Sequence, residues 1–350
     1  MPVIQPLPSP AAIKTLLPAH GHISQFIQNT RQQIRRILQG EDPRWIVIVG
    51  PCSIHDITAG LQFATKLREL AQKTSETLFI VMRTYYEKSR TAGGWKGLLY
   101  DPNLDGTQDI EEGIKQTRKF LLDIAQKGIP TAAELLDPLT VPYLEDLISW
   151  SCIGARTSTS QTHRQLASSV DFPIGIKNST DGSIDNAING AVSASLPHRL
   201  LGINAEGLVS TITSRGNPAS HVVLRGSENG TNFDKASLEI TAQKLEKTNL
   251  VKRFVVDCSH GNSQRNPQKQ KHVLNSLLET AEEGFSSVCG IILESHLKQG
   301  QQLLQAEAPL SYGVSVTDSC LGWEETEAML LEMHERLLTH TLSKRSCLAQ

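Results

Sequence analysis

The sequence predicts an α/β protein, a (β/α)8 TIM barrel with an N-terminal helical extension and a β-hairpin insertion. Three observations lead there. From Trp45 onward, short apolar runs alternate with amphipathic helical stretches, the pattern of a parallel sheet built from βα units. The runs number eight. Most of them also end on a charged, thiol or imidazole side chain, as expected where a barrel gathers its site at the carboxyl ends of its strands.

Residues 1–44 stand apart as the extension: a proline-rich lead, then a helix over 21–38 closed by Gly40. Ile23, Phe26, Ile27, Ile34, Ile37 and Leu38 give that helix one apolar face, suited to covering a barrel end or a partner subunit. The barrel occupies 45–340, with strands expected at 45–49, 78–82, 131–135, 152–155, 173–176, 199–203, 253–257 and 290–293. Helices are expected at 59–71, 110–127, 141–149, 160–168, 184–193, 233–247, 268–283 and 324–338. One interval breaks the alternation. Residues 208–213 and 221–224, joined by Ser-Arg-Gly-Asn-Pro, read as a hairpin inserted after strand six, at about 207–225. Residues 341–350 remain as a C-terminal tail.

Composition narrows the class. Of the 350 residues 39% are hydrophobic and 20% charged, ordinary for a globular protein, and a net charge of −2 gives no basic footprint for nucleic acid. No window approaches the roughly eighteen consecutive apolar residues of a membrane span. The lead lacks the cationic start and apolar run of a secretory signal. Six cysteines, at 52, 152, 258, 289, 320 and 347, are too scattered for a disulfide framework, so a reducing, cytoplasmic setting is expected.

The densest chemistry lies between Arg83 and Gly97, where Arg83, Lys88, Arg90 and Lys96 place four cations within fourteen residues. Thr91 adds a hydroxyl, and Gly93 and Gly94 let backbone amides approach an oxyanion. By itself such a stretch also fits a solvated loop. The other strand ends change that reading. Cys52 follows strand one, Glu134 strand three, Arg156 strand four and Lys177 strand five; Arg225 ends the hairpin, His260 follows strand seven, and Glu294 with His296 ends strand eight. Any one alone fits a snorkelling or satisfied polar side chain. Together they form two sets. The cations Arg83, Lys88, Arg90, Arg156, Lys177 and Arg225 exceed what one phosphate needs and suit two anionic substrates. Cys52, His260, Glu294 and Asp318 combine a thiolate, an imidazole and two carboxylates, which suits a divalent metal such as Mn, Fe, Co or Zn. No short CxxC spacing supports that set. The bland readings are an N-cap for Asp318 and a buried apolar thiol for Cys52.

Read as motifs, Gly50-Pro-Cys-Ser-Ile-His-Asp56, Arg83-Thr-Tyr-Tyr-Glu-Lys-Ser-Arg-Thr91, Gly94-Trp-Lys-Gly97, Gly154-Ala-Arg-Thr157 and Lys177-Asn-Ser-Thr-Asp-Gly182 closely resemble type I 3-deoxy-D-arabino-heptulosonate 7-phosphate (DAHP) synthase. So do Leu224-Arg-Gly226, Asp257-Cys-Ser-His-Gly-Asn-Ser263, Glu294-Ser-His296 and Thr317-Asp318. The resemblance runs in order from about residue 6 to 338. It implies a metal-dependent transferase on a (β/α)8 barrel that condenses phosphoenolpyruvate with erythrose 4-phosphate, giving DAHP and phosphate at the entry to the shikimate pathway and aromatic amino acid biosynthesis. Carried to matching positions, it makes Cys52, His260, Glu294 and Asp318 the metal ligands. Arg83, Lys88, Arg156, Lys177 and Arg225 would hold phosphoenolpyruvate, with Glu134 and the Ala155 amide beside it. Arg90, Thr91 and Asp318 would meet the sugar phosphate, and Lys88, Cys52 and His260 would be the catalytic residues, with Lys88 between the two substrates.

The resemblance further implies a homodimer or homotetramer and feedback inhibition by an aromatic amino acid bound near the hairpin and the helices after strands three and four. Asp171 falls where a small polar residue is expected to influence that choice. Ser89 replaces the proline of the family's Lys-Pro-Arg-Thr-Thr, Ala92 the second threonine, and Ser227 the second glycine after Leu-Arg. Losing the proline frees the loop backbone. Pro267 should delay the following helix. The alternatives are 3-deoxy-octulosonate 8-phosphate synthase, which takes arabinose 5-phosphate, and a catalytically silent regulatory paralogue. A disulfide between Cys52 and Cys320 is expected on oxidation of metal-stripped protein.

Overall fold

A computed structural model describes residues 4–304 and 309–348. Residues 1–3 of the expected extension, 305–308 within the barrel span and 349–350 of the expected tail lie outside the described residues.

Eight parallel strands close a barrel in the order β1, β2, β3, β4, β5, β8, β9, β10: Trp45–Gly50, Leu78–Arg83, Thr131–Glu134, Trp150–Ile153, Ile174–Lys177, Ser220–Leu224, Phe254–Asp257 and Val288–Glu294. β10 closes onto β1 in register from Ile46 against Gly290 to Gly50 against Glu294. These strands are short and almost wholly buried, because helices cover their outer face and side chains fill the inside. Alternate strand residues fall into two apolar clusters. Ile46, Ile48, Val81, Ala132, Val223, Val255 and Ile292 pack within the barrel, whereas Val47, Val49, Ile80, Val222 and Val256 pack against the helices.

α2 (Gly21–Gln39) joins the inner cluster through Ile34, Ile37 and Leu38, so it closes the amino-terminal end of the barrel. Gly40, at φ 81°, ends it in the left-handed conformation that favours glycine. The proline-rich lead holds one more helix, α1 (Pro10–Leu16), whose Ala11 amide donates to the Ala205 carbonyl at 2.8 Å. The remaining helices are α3 (Ile57–Lys73), α4 (Ile110–Gln126), α5 (Val141–Leu144), α6 (Gln161–Ser169), α7 (Ile184–Ser195), α8 (Lys235–Glu246), α9 (Lys269–Glu282) and α10 (Trp323–Leu348).

The hairpin requires a correction. Residues 199–203 are not the sixth barrel strand. They form β6 (Arg199–Ile203), which pairs antiparallel with β7 (Val209–Thr213) in a separate two-stranded sheet. The sixth barrel strand is β8, which was expected to be the second arm of the hairpin; it pairs parallel to β5 and β9. The insertion therefore follows the fifth barrel strand and α7, and precedes the sixth strand. The physical reason is burial: every residue of β8 is buried, while β6 and β7 run along the surface. The last helix also runs further than the expected 324–338, since α10 continues without a break to Leu348. α9 starts at Lys269, two residues beyond Pro267.

Candidate active site

The carboxyl ends of the barrel strands bring the metal-type donors together. Sγ of Cys52 and carboxylate oxygens of Glu294 and Asp318 all lie within 4.8 Å of one another. His260 stands beside them, its Nε2 3.6 Å from Glu294 Oε1. Its Nδ1 lies 2.9 Å from Asp257 Oδ2, so a buried carboxylate packs against the imidazole edge that faces away from Glu294. His260 adopts φ 53°, an uncommon conformation for a side-chain-bearing residue. Glu294 is completely enclosed. Burial pushes its carboxyl up, but the Arg83 guanidinium, followed by His260 and Lys88, holds it down at about 2. Burial and the Glu294 charge push the Cys52 thiol up, against the pull of Lys88 Nζ at 3.2 Å. A soft donor and two carboxylates within 4.8 Å of one another, with an imidazole beside one of the carboxylates, fit a borderline divalent cation, which would also convert the Cys52 thiol to its thiolate.

Cations surround this cluster. Arg83 donates through Nη2 to Glu294 Oε1 at 2.7 Å and to the Cys52 carbonyl at 3.1 Å, and its guanidinium stacks on Tyr85 at 3.6 Å. Its Nη1 is buried with no partner among the described residues, a donor suited to a ligand oxygen. Lys88 Nζ reaches the Cys52 carbonyl at 3.1 Å. Lys177 Nζ donates to Asp257 Oδ2 at 2.9 Å, so one carboxylate holds Lys177 and lies close to His260 as well.

A cleft of about 610 Å³ opens beside His260 and is walled by Thr91, Glu134, Ala155, Arg156, Lys177 and Arg225. A Cβ on Gly154 would stand 2.1 Å from Glu134 Oε1, so a side chain there would push that carboxylate out of its place on the cleft wall. The cleft brings together the strand-three, -four and -five residues, Arg225 of the sixth, and His260 of the seventh. Arg90 is not among its walls: it is exposed, and its guanidinium folds over Gly94. Cys320 is buried with its thiol against the Cys52 amide, and both thiols are free.

A family model described as "DAHP synthetase I family" matches residues 24–331. The chain belongs to that family. It is 43% identical over 334 residues to "Phospho-2-dehydro-3-deoxyheptonate aldolase, Tyr-sensitive" of Escherichia coli (strain K12), covering 95% of this chain and 94% of the relative. It is also 43% identical over 343 residues to a "Putative phospho-2-dehydro-3-deoxyheptonate aldolase" of Schizosaccharomyces pombe, covering 97% and 92%. The solved structure of a phospho-2-dehydro-3-deoxyheptonate aldolase from Francisella tularensis SCHU S4 superposes with a TM-score of 0.95 at 38% identity, covering 97% of this chain and 99% of that one.

Ser227 opens a tight turn: its amide donates to the Gly230 carbonyl at 2.8 Å and its hydroxyl accepts from the Asn229 amide at 3.1 Å. The turn places Glu228 and Asn229 on the cleft wall. Ser89 and Ala92 sit on the loop that carries Arg90, tied across its base by the Lys88 amide donating to the Lys96 carbonyl at 2.8 Å. Asp171 is exposed and paired with Arg35 at 3.0 Å and Arg31 at 3.6 Å, both on α2.

Sequence reasoning missed Asp257, Glu228 and Arg265. Asp257 carried a signal, as a carboxylate ending a strand that is otherwise apolar. Glu228 and Arg265 carried none, being exposed charges in loops.

Proposed function

We propose that this chain condenses phosphoenolpyruvate with D-erythrose 4-phosphate to give DAHP and phosphate, at the entry to the shikimate pathway. The observation that carries the reading is the meeting, at one barrel mouth, of the Cys52, His260, Glu294 and Asp318 donors with a cleft walled by Arg156, Lys177 and Arg225. Arg156, Lys177 and Arg225 hold the anionic groups of phosphoenolpyruvate, and Lys177 is kept charged and oriented by Asp257. A divalent ion on the four donors, with Mn, Fe, Co and Zn all compatible, would supply Lewis acidity toward the aldehyde oxygen. Lys88, against the Cys52 sulfur, is placed to donate a hydrogen bond to the same oxygen. C3 of phosphoenolpyruvate forms the new bond to the aldehyde carbon, which leaves C2 electron-poor. Water adds at C2, and the C–O bond to the phosphoryl group then breaks, releasing phosphate. The clustered cations lower the repulsion between two anionic substrates and hold them in register.

The Tyr-sensitive name of one relative, with the resemblance read from the sequence, supports an aromatic amino acid effector. A cavity of about 200 Å³ between β6, β7, α1, α5 and α6, lined by Val141, Leu166, Val170, Leu200 and Ile212, fits an aromatic side chain. Homo-oligomerisation as a dimer or tetramer agrees with exposed Leu201, Leu208 and Val209 on the hairpin. A cytoplasmic setting agrees with free, buried thiols and with the finding that, among the described residues, no helix is long and apolar enough to cross a membrane.

The test is phosphate release from the two substrates after chelation and re-addition of Mn, Fe, Co or Zn, with arabinose 5-phosphate as the competing aldose. Metal-restored release with erythrose 4-phosphate is expected. Preference for arabinose 5-phosphate would assign the octulosonate reaction, and no release with any metal would leave a silent paralogue.

A further inference from the structure

We propose that Arg265 is an additional binding residue for the phosphoryl group of phosphoenolpyruvate, and that Glu228 opposite it is a counter-charge which the substrate displaces. The inference rests on the proposed reaction and extends it to residues outside the motifs that suggested it.

The charge count around the cleft motivates it. Arg83 is committed to Glu294 and Lys177 to Asp257, so neither carries an uncompensated charge toward a ligand. Phosphoenolpyruvate brings a carboxylate and a phosphoryl dianion. Among the described cleft residues, the cations not held by a buried carboxylate are Arg156, Arg225 and Arg265. Arg265 stands close enough to Arg225 to help depress its proton affinity, after the larger effect of burial.

Position supports it independently. The loop after β9 is stitched to the end of β8: the Asn262 amide donates to the Arg225 carbonyl at 3.3 Å, and the Asn232 amide to Asn262 Oδ1 at 2.9 Å. Gly226 and Gly261 meet backbone to backbone, since a Cβ on Gly261 would stand 2.3 Å from the Ser227 nitrogen. Within this clamp the Arg265 amide donates to the His260 carbonyl at 2.8 Å. Gln264 and Arg265 are held at φ 54° and 59°, a strained conformation for non-glycine residues that persists only where its surroundings impose it. The side chain that results faces the cleft, while its nearest acid, Glu228 Oε1, is 3.8 Å away. Both partners are largely exposed, so this pair is weak. A phosphoryl dianion, which accepts two parallel guanidinium hydrogen bonds, competes with it effectively.

The experiment compares wild type with Arg265→Gln, Arg265→Lys and Glu228→Gln, with thermal unfolding to establish folding. It measures KM for each substrate, the affinity for phosphoenolpyruvate by calorimetry, and competition by inorganic phosphate. Arg265→Gln should raise KM and the dissociation constant for phosphoenolpyruvate about tenfold and weaken inorganic phosphate in parallel, with KM for erythrose 4-phosphate within twofold. Arg265→Lys should restore part of the loss, and Glu228→Gln should shift phosphoenolpyruvate affinity the opposite way. Unchanged phosphoenolpyruvate and phosphate binding in Arg265→Gln would overturn the proposal. So would losses of the same sign in Arg265→Gln and Glu228→Gln, which mark a structural role for the turn. Because binding is read without turnover, failure of the proposed reaction in wild type is a separate outcome from failure of Arg265 to bind phosphate.

Discussion

Arg83 and Glu294 form an ion pair with both side chains essentially excluded from solvent. Each charge has lost its hydration, and each is kept by the other. Removing Arg83 takes away the largest counter-charge on Glu294 and leaves only His260 and Lys88, a loss of up to about 3–5 kcal/mol. Arg83→Met in the metal-free protein should therefore lose stability on that scale, read from urea unfolding midpoints. Loading the metal should recover part of it, because the cation gives Glu294 a new partner. A loss below about 1 kcal/mol would mean that the pair does not hold the site together. The same residues show what a sequence carries at this scale. Cys52, Glu294 and Asp318 are far apart in the chain and share no short spacing, yet their positions at or beyond strand ends were enough to group them. Arg265 and Glu228 were invisible, because what singles them out is a left-handed backbone and a tight turn rather than residue type.

At the scale of elements, β8 carries a buried histidine with a defined job. His221 Nε2 accepts from Trp150 Nε1 at 3.1 Å, reaching across β5 to β4, and Nδ1 donates to the Ala219 carbonyl at 2.9 Å, which uses both nitrogens of the neutral ring. Burial depresses its proton affinity to about 4, with only partial opposition from the Ala219 hydrogen bond. Above the unfolded-state value of about 6.5 the ring is neutral in both states and stability does not depend on it. As pH falls from there toward 4, the unfolded chain gains a proton that the folded chain refuses, so stability drops by an amount on the order of 3 kcal/mol and then levels off. His55 and His296, also depressed by burial, add to the slope in the same direction. In urea titrations at pH 7 and pH 4.5, His221→Gln should show a smaller drop than wild type; an equal drop would remove His221 from the explanation. The same residue explains why the sixth strand was misplaced. Ser220 and His221 interrupt what would otherwise be an apolar barrel run, whereas Arg-Leu-Leu-Gly-Ile at 199–203 has the length and hydrophobicity of one. The remaining strands are uniform Val, Ile and Leu runs or lie between clear helical periods, and their positions were legible. What distinguishes β8 from β6 is burial on both faces, and that follows from how the chain closes, which local pattern does not encode.

For the whole molecule, the topology separates the catalytic barrel from the inserted hairpin. The eight barrel strands close on themselves, and β6 and β7 hydrogen-bond only to each other as strands. Leu201 and Val209 are 78% and 80% exposed, so the hairpin's outer face contributes nothing to the barrel core. Its two ends are already neighbours: the Ser214 amide donates to the His198 carbonyl at 2.8 Å. Replacing residues 199–213 with a short Gly-Ser turn should therefore leave β5 and β8 paired and the cleft intact. What is lost is one wall of the cavity against α5 and α6, with Leu200 and Ile212. The expected outcome is a folded protein that still releases phosphate from phosphoenolpyruvate and erythrose 4-phosphate, but whose rate no longer responds to whichever of phenylalanine, tyrosine or tryptophan inhibits the full chain. Retained inhibition would place the effector elsewhere. Loss of turnover in a folded, metal-loaded variant would show instead that the hairpin supports the barrel mouth through α6, whose Ser168 hydroxyl is hydrogen-bonded to Ser214 at 2.7 Å. Sensitivity and turnover are thus predicted to separate along the boundary that the strand pairing draws, because the barrel's hydrogen bonds close without the hairpin while the cavity's walls do not.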